Sequence, residues 1–196
     1  MAASEAVLHP AMFPESFADE DHLEDFMSTP SQALIDDLAE VEGDVAVLGC
    51  GGKMGVTLAR MVKRAAPGKR VLGVSRFSEP GLAEKMASWG VETHACDLLR
   101  RDEVAAIPKL PNIIYMAGKK FGTEGAESFT WAMNTVVPSL VGEAFPESRI
   151  VAFSTILVYP FSNVHHQGSV EGDPPYATSG EYANSCVGRE RTFEYY

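Results

Sequence analysis

The stretch Val45-Ala46-Val47-Leu48-Gly49-Cys50-Gly51-Gly52-Lys53-Met54-Gly55 decides the fold. Four apolar residues of the buried-strand type run directly into a glycine-rich turn. Residues 56–66 then carry apolar side chains at helical spacing, until Pro67-Gly68 breaks the helix. A strand that passes through glycines straight into a helix is the opening unit of an alternating α/β chain.

The alternation continues on the C-terminal side. Residues 71–74, 91–95, 113–116 and 150–153 are short apolar runs that predict four more strands. Helices are predicted over 80–89 (with Gly90 as the stop), 102–107, 129–145 and 180–196. Pro138 lies inside the 129–145 stretch, where it kinks or divides the helix. Residues 160–178, rich in Pro, Gly, His and Ser, read as a loop. Five apolar strands alternating with helices predict an α/β fold with a doubly wound parallel sheet covered on both faces.

On the N-terminal side, residues 1–28 mix Glu15, Asp19, Glu20, Asp21, Glu24 and Asp25 with Phe13, Phe17, Leu23 and Phe26. The aromatics are too many for a purely solvated tail, so short helices packing on the main domain or on a second subunit are expected. Thr29 is read as the N-cap, and Pro30 as the first residue, of a helix that Gly43 ends. The expected organisation is an acidic helical arm over 1–43 and an α/β domain over 44–196.

Composition excludes several classes. Among 196 residues, 16 Lys and Arg stand against 27 Asp and Glu, a formal net charge of -11. A nucleic-acid surface needs the opposite sign, as does an anionic membrane. No apolar run reaches the roughly 20 residues that span a bilayer, and the first residues lack the pattern of a signal peptide. Cys50, Cys96 and Cys186 form neither a disulfide framework nor a zinc pattern. A reduced, cytoplasmic protein that binds a small molecule and no metal is expected.

Glycines at a strand–helix turn allow the tight turn, close approach of backbone N–H groups to a pyrophosphate, and close helix–strand packing. The helix N-terminus adds its positive dipole end. Gly49, Gly52 and Gly55 are spaced G-x-x-G-x-x-G, and Met54 stands where a strict G-x-G-x-x-G has its third glycine. Lys53 is followed by Met54 rather than Ser or Thr, so the loop is not a phosphate-binding P-loop. Gly49, Gly51, Gly52, Lys53, Met54 and Gly55 are therefore the expected contacts to a dinucleotide. The second strand ends Val74-Ser75-Arg76, without the carboxylate that holds the ribose 2′-hydroxyl of NAD. Ser75 and Arg76 suit a 2′-phosphate, so NADP is preferred, with NAD as the alternative.

At this point the residues resemble the extended short-chain dehydrogenase/reductases, also called the NAD-dependent epimerase/dehydratase family, from about Asp44 to Tyr196. Gly49, Gly52 and Gly55 match its glycine triplet. Asp97 with Leu98 resembles its adenine contact, and Met116-Ala117-Gly118 its small-residue turn beside the cofactor. Asn134 falls in the next helix, where the family often has Asn. Phe153-Ser154-Thr155-Ile156-Leu157-Val158-Tyr159 is similar to its Ser-Ser-x-x-Val-Tyr segment, and residues 180–190 to its Tyr-x-x-x-Lys helix. The resemblance implies catalytic roles for Tyr182, Thr155 and Asn134. It also implies a nicotinamide cofactor, a hydroxylated substrate such as a nucleotide sugar, and allows a homodimer. Substrate choice in the family comes largely from a C-terminal domain, and this sequence, ending within a helical pattern, is expected to stop short of it.

One residue departs from the pattern. Cys186 stands four residues after Tyr182, where the family has Lys. A tyrosine acts as a base near neutrality only if its pKa, ordinarily about 10, is lowered, and an adjacent cation does this. Three readings stay open: dinucleotide binding without the standard catalysis; a substitute cation, from Lys119 or Lys120 or, more remotely, Arg189; or chemistry in which tyrosine is not the base.

Overall fold

The computed structural model describes residues 7–178 and 180–196. The chain forms two compact units. The first comprises Met1–Cys96, Pro108–Met116 and Ser148–Ile150; the second comprises Asp97–Ile107, Ala117–Glu147 and Val151–Tyr196.

The strands form a five-stranded sheet, ordered β3-β2-β1-β4-β5, with the first four strands in the first unit and β5 divided at Ile150. Its strands are β1 (Val45–Leu48), β2 (Val71–Ser75), β3 (Glu92–Ala95), β4 (Asn112–Tyr115) and β5 (Arg149–Ala152). β1 pairs in parallel with β2 and with β4, and β2 with β3. The central strand has no alternation: Ala46, Val47 and Leu48 are all fully buried, as a parallel strand covered on both faces requires. Cover is incomplete at the β5 edge, where Val151 is exposed. The connection reverses direction between β1 and β4, which is the switch point of a doubly wound sheet.

The strand and helix expectations hold to within one or two residues. α3 (Gly55–Ala65) packs Ala59 and Val62 into a core with Val45, Val47, Val71 and Met86, the last from α4 (Leu82–Ser88). α5 is Arg101–Ala106. Cys50 lies in the first unit's core at 0 % exposure, and a Cβ on Gly73 would come within 2.9 Å of its sulfur. Burial pushes the Cys50 thiol up to about 12 from an ordinary 9.0. A pKa raised by folding contributes stability that is fully present below about pH 9 and lost as pH climbs toward about 12. The melting temperature should therefore fall steeply across that window, and Cys50→Ala should flatten the fall. Equal slopes for the two proteins would refute this.

The acidic segment forms α1 (Glu20–Met27) and α2 (Gln32–Glu40). α1 is fastened to the first unit by charge: Asp25 accepts from Arg60 at 2.8 Å and Arg64 at 3.2 Å, while Lys85 meets Glu24 and Asp21. Phe13 and Phe17 stack against Phe26. Thr29 does not cap α2. Its hydroxyl donates to the Asp25 carbonyl at the end of α1, and Ser31 caps instead, accepting from Leu34 N–H at 3.2 Å. α2 ends at Glu40, before Gly43, whose φ of +82° serves the turn into β1.

In the second unit the predicted 129–145 helix is three segments: α6 (Glu127–Trp131), a π turn over Ala132–Val136, and α7 (Val137–Ala144). Pro138 has no N–H to offer the carbonyl four residues back, at Asn134. The chain widens ahead of it, with Val137 N–H bonding to Ala132 O. The last helix, α8 (Glu181–Tyr195), packs along all three segments.

Candidate functional site

The glycine loop is built by three different demands. Gly49 has φ +87°, a conformation side chains resist, and its N–H donates to Val74 O at 2.8 Å. At Gly55 a Cβ would lie 2.6 Å from the Cα and carbonyl oxygen of Cys50, so α3 can approach the turn only through a glycine. Gly52 differs. A Cβ there would meet nothing nearer than Gly49 O at 3.4 Å, so the fold itself asks for no glycine at this position. A ligand pressed against the backbone would. Met54 precedes α3 without any side-chain cap, and the Gly55 N–H donates to Gly52 O at 3.0 Å; an uncapped helix start of this kind favours an anion. Lys53 and Met54 are exposed on the loop.

Ser75 closes β2, and its hydroxyl accepts from Phe77 N–H at 3.3 Å. Phe77 takes φ +47°, rare for a residue with a side chain. Arg76 between them is exposed and, among the described residues, forms no ion pair. Gly49, Gly51, Gly52, Lys53, Met54, Gly55, Ser75 and Arg76 thus all belong to the first unit.

The remaining candidates belong to the second unit. Asp97 opens it; its carboxylate accepts from Leu99 N–H at 3.1 Å, and Leu98 is buried. Ala117 is buried, and Gly118 is crowded: a Cβ there would lie 2.6 Å from Arg189 Nη2 and 2.9 Å from Asn134 Oδ1. The π turn carries Asn134 inward, fully buried, with both ends of its amide occupied. Its oxygen accepts from Lys119 N–H at 2.9 Å and Arg189 Nη2 at 2.8 Å. Its nitrogen donates to Lys119 O at 3.1 Å and Ser185 Oγ at 2.9 Å. Asn134 is held as a positioning group for the turn after β4.

Thr155 is one neighbour of the Tyr182 phenol. Cys186, one turn along α8, is the phenol's other neighbour. Burial, then the thiol's charge, pushes the Tyr182 phenol above its ordinary value; Thr155 and Arg189 pull the other way without prevailing. Burial likewise raises the Cys186 thiol. Tyr182 therefore holds its proton at neutral pH.

Lys119 and Lys120 are placed differently from one another and from this pair. The Lys119 ammonium lies 5.5 Å from the Phe129 ring centre, and that of Lys120 lies 5.3 Å from the ring of Phe121. The cation beside Cys186 is Arg189, at 3.6 Å from its sulfur. Ser185 went unread in the sequence; its signal was a small polar residue one helical turn from Tyr182, on the face α8 buries. A cavity of about 460 Å³ in this unit is lined by Thr155, Ser154, Tyr159, Glu171 and Glu190, among others.

No protein-family model matches this sequence, and comparison with curated proteins returns no match. Solved structures do match. ADP-L-glycero-D-manno-heptose-6-epimerase from Helicobacter pylori aligns with a TM-score of 0.65 at 14 % identity, over 76 % of this chain and 50 % of that one. WbmG from Bordetella bronchiseptica, in complex with NAD and UDP, gives 0.63 at 16 %, over 79 % and 50 %. UDP-glucose-4-epimerase from Stenotrophomonas maltophila, with bound NAD and formylated UDP-arabinopyranose, gives 0.64 at 18 %, over 76 % and 47 %. The chain spans about half the length of these structures. What the likeness establishes is the fold: an α/β chain with a Rossmann-type parallel sheet.

Proposed function

We propose that this chain is the dinucleotide-binding part of an NAD(P)-dependent oxidoreductase or epimerase-like enzyme acting on a hydroxylated small molecule such as a nucleotide sugar. The observation that carries the reading is Gly52: a glycine the fold does not need, in a loop at the switch between β1 and β4 and ahead of an uncapped helix. The loop's Gly49, Gly51, Gly52, Lys53, Met54 and Gly55 fit a pyrophosphate; for the second unit's Asp97 and Leu98 an adenine contact, and for Ala117 and Gly118 a cofactor contact, are proposed from the resemblance alone. The structural neighbours that hold NAD support the cofactor class. When bound, that group supplies hydride chemistry.

The chain's own contribution is protonic. Tyr182, keeping its proton at neutral pH, is suited to donate it to a substrate oxygen, with Thr155 orienting that oxygen. It is an acid more readily than a base. Glu171 and Glu190, beside Thr155 in the same cavity, offer acceptors for substrate hydroxyls. A second reading, a dinucleotide-binding module without turnover, is favoured by one observation: Cys186 raises the tyrosine instead of lowering it.

For the cofactor we propose NADP over NAD, because Ser75 and exposed Arg76 end β2 without a carboxylate. Side-by-side titration should find NADPH bound more tightly than NADH. Arg76→Asp should weaken NADPH by about 1 to 3 kcal/mol, roughly tenfold to a hundredfold, and spare NADH. Unchanged NADPH affinity in that variant would remove the NADP assignment. Binding of neither cofactor by the folded chain would remove the functional reading.

A further inference from the structure

We infer that Arg189 is the positioning cation of the second unit: it fixes Asn134 and the turn after β4, and it acts across the Cys186 sulfur to favour negative charge on Tyr182. The inference rests on the reading of Tyr182 as a proton-transfer group.

Arg189 is 6 % exposed, in the interior of the second unit. A buried guanidinium is ordinarily neutralised by a carboxylate, since burying an unpaired charge is costly. Here its partners are neutral: Phe153 O at 2.8 Å from Nη1, and Asn134 Oδ1 at 2.8 Å and Cys186 Sγ at 3.6 Å from Nη2. Among the described residues no carboxylate pairs with it, and its buried Nε has no hydrogen-bond partner. Glu190, next along the helix, accepts from Ser154 instead. The site thus stores positive charge that nothing at rest consumes. Such a charge is stabilised whenever an anion forms near it.

The groups beside it that can become anions are Cys186, at 3.6 Å, and Tyr182, one helical turn back from Cys186 on the same face of α8. Around that pair the charged groups are Arg189 and Glu190 on α8, and Thr155 is a neutral neighbour. Of the charged groups around the pair Arg189 alone favours a phenolate, and the neutral Thr155 pulls the same way. Gly118 completes the arrangement, because a side chain there would occupy the guanidinium's place. The same guanidinium links chemistry and scaffold, since Asn134 passes its hold to both N–H and C=O of Lys119.

The test uses the full chain with its tyrosines replaced by 3,5-difluorotyrosine, which brings phenol titration toward neutral pH. Fluorine NMR follows each ring, and Tyr182→Phe assigns the resonance. In Arg189→Met the Tyr182 titration should move up by about one pH unit or more. In Arg189→Lys, which keeps the charge, it should stay within about half that shift. Arg189→Gln, which keeps donors and loses charge, should behave like Met and decides the matter if Met prevents folding. A Tyr182 titration that does not move in Arg189→Gln or Arg189→Met overturns the inference. Absence of NADPH binding by the unsubstituted chain would overturn the functional reading while leaving the titration result standing.

Discussion

Gly55→Ala is expected to cost the first unit roughly 3 kcal/mol or more. The added methyl would stand 2.6 Å from the Cα and from the carbonyl oxygen of Cys50, and 2.8 Å from its carbonyl carbon. These are backbone atoms, so no rotamer change relieves the contact. Cys50 cannot retreat, because it is fully buried and its N–H is bonded to Val74 O. The helix must instead move off β1, opening the core around Ala59 and Val62. Denaturant unfolding of the variant beside Gly68→Ala, where a Cβ meets nothing within 4 Å, checks the claim. A midpoint for Gly55→Ala equal to that of the Gly68 control would show that the loop yields more easily than its packing indicates.

Gly52→Asp should do the opposite: leave stability nearly unchanged and weaken NADPH binding about a hundredfold, close to 3 kcal/mol. Space for the side chain exists, since Gly49 O at 3.4 Å is the nearest atom a Cβ would meet. A carboxylate there would sit against the uncapped start of α3, where it would take the donors meant for a phosphate and repel it. Calorimetric titration with NADPH, paired with thermal unfolding, reads both halves. Equal affinity at equal stability would mean that the loop is not where the pyrophosphate lies. The two glycines, three residues apart, thus separate what the turn needs to fold from what it needs to bind.

Much of the architecture was legible because it is local. β1 was read at its observed bounds, and the other strands within one residue, since an apolar run between turn signals needs no knowledge of its partners. The errors are local competitions that side chains decide. Thr29 looked like a cap, but its hydroxyl goes backward to Asp25 O, leaving the role to Ser31. Pro138 announced a disturbance without saying which, and the chain chose a π turn. The second unit's cluster was half legible. Tyr182 and Thr155 could be named from their segments. Which cation would stand near them could not be, because Arg189 reaches Asn134 across 55 residues and Phe153 across 36. The sequence order made Lys119 and Lys120 the first candidates and Arg189 the remote one; the side chain found beside Cys186 is that of Arg189.

The three cysteines have a use beyond packing. Cys50 and Cys96 lie in the first unit and Cys186 in the second, at 0 %, 3 % and 0 % exposure. An alkylating reagent meets none of them until the backbone around it opens. Modification at each position, located by mass spectrometry, becomes a clock for that opening, and its rate converts to a local free energy when reclosing is fast. The native chain carries its own reporters, two in one unit and one in the other. Whether the two units come apart together or in turn can be timed without a label or a substitution.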